Sequence, residues 1–395
     1  MIAPLASTSG IQPLAMSQIN VSDRYYLYDT FSTDRAAGTL NNTAVDGVGG
    51  LRTSNDTNSK ISTSGGLLSF ATGLAINDRV AWPTITRVLG IGVGSTINLA
   101  NTTSKPNIGW GGADLFIFNN VGNQLYASVN AASFPVIGTY TATTYQTKVI
   151  YRAAGMFWFI KGGAFTNWTM MYNSLLGTAN RNPQVSIQIA TSIFTVDNMR
   201  VPKKTYIPTP LQSDGMSAAT TDGLGNPEAN SATGTSYVDV GTWGVAGGKR
   251  LCSVLSSGLG FSYLPCSSSN AIIEAVCTRT AGVTGLVARY VDASNYLIAY
   301  LDGTNCKLDK VVAGITTNLS SGAVAYGATK ILSLHLDGTS ARLFYGDAAV
   351  GTVATTPAAG SLNHGVYTTN IGATFDNLVI WPRGNEGQYE DMNLQ

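Results

Sequence analysis

The chain carries the same opening and closing phrases twice, and that duplication bounds every other reading of it. One copy opens at Tyr28-Asp29-Thr30-Phe31, continues to Gly38-Thr39-Leu40 and closes at Val196-Asp197-Asn198-Met199-Arg200-Val201-Pro202. The other opens at Ser213-Asp214-Gly215-Met216, continues to Gly223-Leu224-Gly225 and closes at Phe375-Asp376-Asn377-Leu378-Val379-Ile380-Trp381-Pro382. Asp29 and Asp197 lie 168 residues apart, Asp214 and Asp376 lie 162 apart. A period of that size marks a duplicated domain rather than a solenoid unit, and a length of 395 residues suits two domains. Between the copies, in the stretch Pro202 to Leu211, three prolines fall within the nine residues from Pro202 to Pro210, the composition of a stiff, extended linker.

Within each copy the pattern is that of strands. Val185-Ser186-Ile187-Gln188-Ile189 and Leu332-Ser333-Leu334-His335-Leu336 alternate apolar and polar residues with period two. Tyr296 to Leu301 runs into Asp302-Gly303 and resumes at Cys306, a hairpin signal. Val149-Ile150-Tyr151 and Met156 to Ile160 flank another short turn. No long helical period occurs, and the 44 glycines suit tight turns between short strands. The expected organisation is an N-terminal arm over residues 1–24, a first module over 25–202, a Pro-rich linker over 203–212, a second module over 213–383 and a polar tail over 384–395.

Composition narrows the partners. Charged residues make up 11% of the chain and the formal net charge is +1, so no basic stripe exists to neutralise phosphates and nucleic acid is not an expected partner. The one adjacent lysine pair, Lys203-Lys204, falls in the linker. No apolar run approaches the 18 or so residues of a membrane span. The N-terminal stretch lacks the basic and compact apolar regions of a secretory signal and reads as an arm that docks on a partner or stays disordered. Cys252, Cys266, Cys277 and Cys306 all lie in the second half without a CxxC spacing, which argues against zinc. They read either as buried small hydrophobes or as one or two disulfides, with three connectivities if all four pair.

The openings and closings resemble those of the concanavalin A-like, laminin-G-like jelly roll, in which a "D-x-F…G-x-L" stretch leads in and "F-D-N-F-x-V" is the last strand. The second copy matches over nearly its full length: Thr235 to Trp243 with Gly247-Gly248 is similar to the family's early strand and turn, and Tyr290 to Tyr296 with Lys310 to Gly314 to its middle hairpin. The first copy matches at both ends and diverges between Gly155 and Trp168. The resemblance implies an all-β chain of two tandem antiparallel β-sandwich (jelly-roll, concanavalin A-like) domains behind an extended arm. It also implies that first and last strands lie side by side, sealing each module so that modules can be strung like beads.

Catalytic patterns are missing from the sequence. Glycoside hydrolysis uses paired carboxylates, and the glucanases of this fold carry Glu-x-Asp-x-x-Glu. The chain has four glutamates, Glu228, Glu274, Glu386 and Glu390, with no such pairing. His335 and His364 lack a nucleophile elbow and read as exposed surface residues. The resemblance raises calcium as a cofactor, with Asp29 and Asp197 in one module and Asp214 and Asp376 in the other clipping terminal strands together; the competing reading is that each aspartate caps a turn. For a host-surface glycan, the candidate rings are Trp110, Trp168, Tyr237 and Trp243, each weighed against a place in the core.

The resulting expectation is a non-enzymatic virion surface protein of a bacteriophage, a tail, fibre or capsid-decoration component, bound to other virion proteins through its arm and forming a homo-oligomer. The alternative is a secreted or cell-surface carbohydrate-binding module.

Overall fold

A computed structural model describes residues 21–176, 179–216, 236–356 and 361–394. Most of the expected N-terminal arm lies outside these residues, as do Gly223 to Gly225, Glu228 and Thr235. The described chain is all-β, with four antiparallel sheets, and no helix is long and apolar enough to cross a membrane.

The sheets divide along the sequence. Strands between Tyr25 and Pro202 build a nine-stranded sheet and a seven-stranded one. Strands between Gln212 and Pro382 build an eight-stranded sheet and a second seven-stranded one. Each pair encloses a core drawn from alternate strand positions. Val185 and Ile187 point into the first, while Leu332, Leu334 and Leu336 point into the second. This is the tandem β-sandwich that the resemblance implies, one sandwich for each of the duplicated copies.

Both duplicated phrases have a local physical cause. In each opening the aspartate accepts the backbone N–H two residues on, Asp29 Oδ1 from Phe31 at 3.3 Å and Asp214 Oδ1 from Met216 at 2.8 Å. Those two residues have φ of 54° and 58°, a left-handed conformation that the Asx turn holds in place. In each closing the Asp-Asn pair is a β-bulge. Pairing slips between Asp197 and Arg200 in one strand, and opposite Glu274 to Val276 in the other, with Asn198 and Asn377 both at φ 52°. First and last strands do pair: Asp29 faces Met199 and Asp214 faces Leu378.

The modules are not beads on a string. Met156-Phe157-Trp158-Phe159-Ile160 sends Met156, Trp158 and Ile160 into the first core, while Phe157 and Phe159 turn outward. These two rings, with Ile150, Trp168 and Met170, pack against Ile272 and Trp381 on the outer face of the second module. The Phe157 ring meets Trp381 edge-on at 5.1 Å. Linker and tail reinforce the joint. Tyr206 of the linker is buried and donates its hydroxyl to Asp391 at 2.9 Å. The expected polar tail instead buries Tyr389 and Met392, and Lys148 donates from Nζ to the Met392 carbonyl at 2.5 Å. Within this polar stretch, Tyr389 and Met392 are the side chains that close the seam.

Candidate ligand-binding surfaces

The four aspartates singled out by the duplication are not brought together as a cation site. Asp29 is fully buried and both its oxygens are taken: Arg52 donates Nε to Oδ2 and Nη2 to Oδ1, each at 2.6 Å, and Trp82 Nε1 donates to Oδ2 at 2.9 Å. A cation placed there would face a guanidinium already in contact, so calcium does not fit. Asp214 is committed to the Met216 N–H and to the Tyr237 hydroxyl at 2.8 Å. The closing aspartates sit two ladder positions from Met199 and Leu378, the residues that face Asp29 and Asp214. Among the described residues no group of three or more His, Cys, Asp or Glu is placed to hold a metal ion.

The four candidate aromatic residues are all buried, so none offers an open ring face to a sugar. Trp110 donates Nε1 to the Val149 carbonyl at 2.8 Å and lies against Tyr151. Trp168 is in the seam between modules with Lys148 Nζ 5.1 Å over its ring. Tyr237 lies beneath Arg250, whose guanidinium is 3.8 Å from the ring centre, and Trp243 packs on Phe375. Large rings at alternating strand positions are drawn into cores because burial of their area is the strongest force available.

Both histidines are buried, contrary to the surface positions expected of them. His335 occupies the side of its strand opposite the module core, but that side faces the first module, so its ring meets Tyr172 of that module as well as Phe344 of its own. His364 is bracketed by the Ser268 carbonyl and the Arg289 N–H. All four cysteines are free, buried thiols, so the disulfide reading gives way to the packing one. Burial pushes Cys266 and Cys306 up to about 12, which makes them unreactive. The described glutamates are structural partners: Glu274 accepts from Arg152, Asn173 and Trp381, Glu386 from Ser268 and Asn270, and Glu390 from Lys161.

A surface that no local motif marks emerges from the topology. On the outer face of the first module's seven-stranded sheet, five pairings align one row: Asn55, Arg79, Ser186, Asn107, Ile117 and Tyr126. The next row adds Gln184, Leu115 and Ser128. Asn107 is 4% exposed, and its Oδ1 has no hydrogen-bond partner among the described residues. Arg79 is exposed and Tyr126 half-exposed. The corresponding face of the second module is different. There Phe261, Tyr290, Tyr296 and Tyr367 interlock as a buried aromatic cluster, with ring centres 4.9 to 5.1 Å from Phe261.

No protein-family model and no curated protein matches the chain. Among solved structures it is similar to carbohydrate-binding module CBM66 from Bacillus subtilis, at 17% identity and TM-score 0.27 over 38% of this chain and 93% of that one. It is also similar to the Caenorhabditis elegans galectin LEC-6, at 13% and 0.25 over 30% and 88%. Domains LG4-5 of the mouse laminin α1 chain match at 9% and 0.24 over 80% and 87%. Likeness at this level carries no inference, and the fold assignment rests on the sheets and their pairing.

Proposed function

We propose that the chain is a non-enzymatic carbohydrate-binding adhesion protein whose first module presents its outer sheet face to a glycan. The observation that carries this reading is the row Arg79, Ser186, Asn107, Ile117 and Tyr126, with the unpartnered Asn107 Oδ1 at its middle. A buried amide oxygen without a donor is costly, and a ligand hydroxyl would satisfy it. A pyranose offers both hydroxyls for the amides and a C–H face for the half-exposed Tyr126 ring, the mixture that small-ligand sites exploit. The engagement of Glu274, Glu386 and Glu390 in structural contacts supports a binding rather than a hydrolytic role.

Titration of the full chain against a panel of neutral oligosaccharides tests the reading. Binding that is lost in Asn107→Ala and Tyr126→Ala, with unchanged melting temperature, is the expected result; binding that survives both substitutions would remove this face as the site. The finer placement, on a bacteriophage particle with residues 1–24 as the attachment arm and the chain as a homo-oligomer, rests on the sequence resemblance. Immunogold labelling of particles purified from the protein's source decides it: label on the particle supports the placement, and label confined to cell surfaces or soluble fractions leaves a secreted adhesion protein.

A further inference from the structure

The seam between the modules holds a partly enclosed polar cavity of about 300 Å³, at the lower end of the range of small-ligand sites of about 300–1,000 Å³. The first module contributes Phe165 and Asn167, the second contributes Asp337, Arg342 and Arg383, and the tail adds Asn385. Its charges do not balance. Among the described residues Asp337 is the one carboxylate lining it, and it already accepts from Asn385 Nδ2 at 2.6 Å while lying 3.7 Å from Arg383 Nε. Arg383 is 4% exposed, with its Nη1 on the Met170 carbonyl and its Nε lacking a hydrogen-bond partner. Arg342 makes no ion pair among the described residues, and its Nη1 lies 3.5 Å from the Val136 carbonyl. His335, beside Arg342 in the ladder, is held neutral because burial and the two arginines push its pKa well down. Two guanidinium groups therefore line a partly enclosed space in which, among the described residues, only Arg383 is in ion-pair contact with a carboxylate, a costly arrangement unless another negative charge enters.

We propose that this intermodule cavity binds the anionic oxygen group of an acidic saccharide, a carboxylate or sulfate, with Arg342 as its principal ligand. A planar guanidinium matches either group in a two-pronged geometry. Asn167 and Asn385 stand beside it for hydroxyls, and the half-exposed Phe165 ring for a sugar's C–H face. Because the cavity exists only where both modules meet, it gives a physical use to their rigid docking. The site is separate from the outer sheet face of the first module and does not depend on it.

The experiment is calorimetric titration of the full chain with three probes of matched length: oligogalacturonate, a sulfated oligosaccharide and a neutral oligosaccharide. The expected result is salt-sensitive binding of at least one acidic probe, weakened about tenfold or more by Arg342→Met and partly restored by Arg342→Lys. The melting temperature of Arg342→Met should not fall, since that side chain holds no partner carboxylate and its removal relieves the crowding of two cations. Asn107→Ala should leave acidic binding intact, which separates failure of this site from failure of the sheet face. Equal affinity for acidic and neutral probes, or acidic binding that Arg342→Met does not alter, overturns the proposal.

Discussion

Arg52 grips Asp29 with two hydrogen bonds of 2.6 Å, and neither side chain reaches solvent. Asp29 in turn holds the left-handed turn at Phe31 and accepts from Trp82, so one buried ion pair fixes the start of the first module. Arg52→Met should destabilise that module by about 3–5 kcal/mol, because it leaves an uncompensated buried carboxylate. Urea unfolding of the two proteins measures it. Adding calcium or a chelator to the wild-type chain should leave the melting temperature where it is. A fall on chelation would mean that these aspartates coordinate a cation after all.

The paired bulges make a comparative prediction. Asn198 and Asn377 both sit at φ 52°, where glycine is at ease and a β-branched residue is not. Replacing either by Gly should change stability little, whereas Val should cost about 1–2 kcal/mol or more. Equal effects of Gly and Val would show that the Asn side chain, not its backbone conformation, matters.

Much of this architecture is legible in the sequence because it repeats. The period-two alternation of Leu332 to Leu336 specifies a strand with one buried face, and the structure puts those leucines in the core. What alternation cannot say is what lies on the other face. His335 reads as exposed because it is polar and opposite the core, yet that side is covered by another module. The readable signal was the unbroken apolar run Met156 to Ile160, a strand buried on both faces. The sheet-face row is illegible for a different reason. Asn107, Ser186 and Tyr126 become neighbours only through long-range pairing, which no local pattern encodes.

The module seam should behave as one cooperative unit because Glu274 joins both sides of it. Its carboxylate accepts from Arg152 and from Asn173 of the first module and from Trp381 of the second. Glu274→Ala removes the acceptor of all three and leaves the Arg152 charge without its partner, so a loss of about 3–5 kcal/mol follows. Differential scanning calorimetry should show one transition for the wild-type chain and two for the variant, as each sandwich melts alone. A single unsplit transition in the variant would assign cohesion to the apolar contacts around Trp381 instead.

His364 makes the stability of the second module pH-dependent in a defined window. Burial, with a smaller contribution from Arg289, lowers its pKa from 6.5 to about 4. The bonding requires the neutral ring: Nδ1 accepts the Arg289 N–H at 3.3 Å, leaving Nε2 to donate to the Ser268 carbonyl at 3.1 Å. Between those two values the unfolded chain binds a proton that the folded chain refuses. Stability is therefore full above pH 6.5 and drains as the pH falls toward 4, by about 3 kcal/mol in all. His335, whose pKa burial also pushes down, acts in the same direction. Asp114, Asp239 and Asp347 have raised pKa values through burial and act in the opposite one, so the wild-type curve alone does not isolate the histidine. His364→Gln does, since an amide can accept from Arg289 and donate to Ser268 without titrating. The difference between the two proteins in urea unfolding should widen steadily from pH 6.5 to 4 in favour of the variant. A difference that stays constant across that interval would show that His364 is protonated in the folded chain.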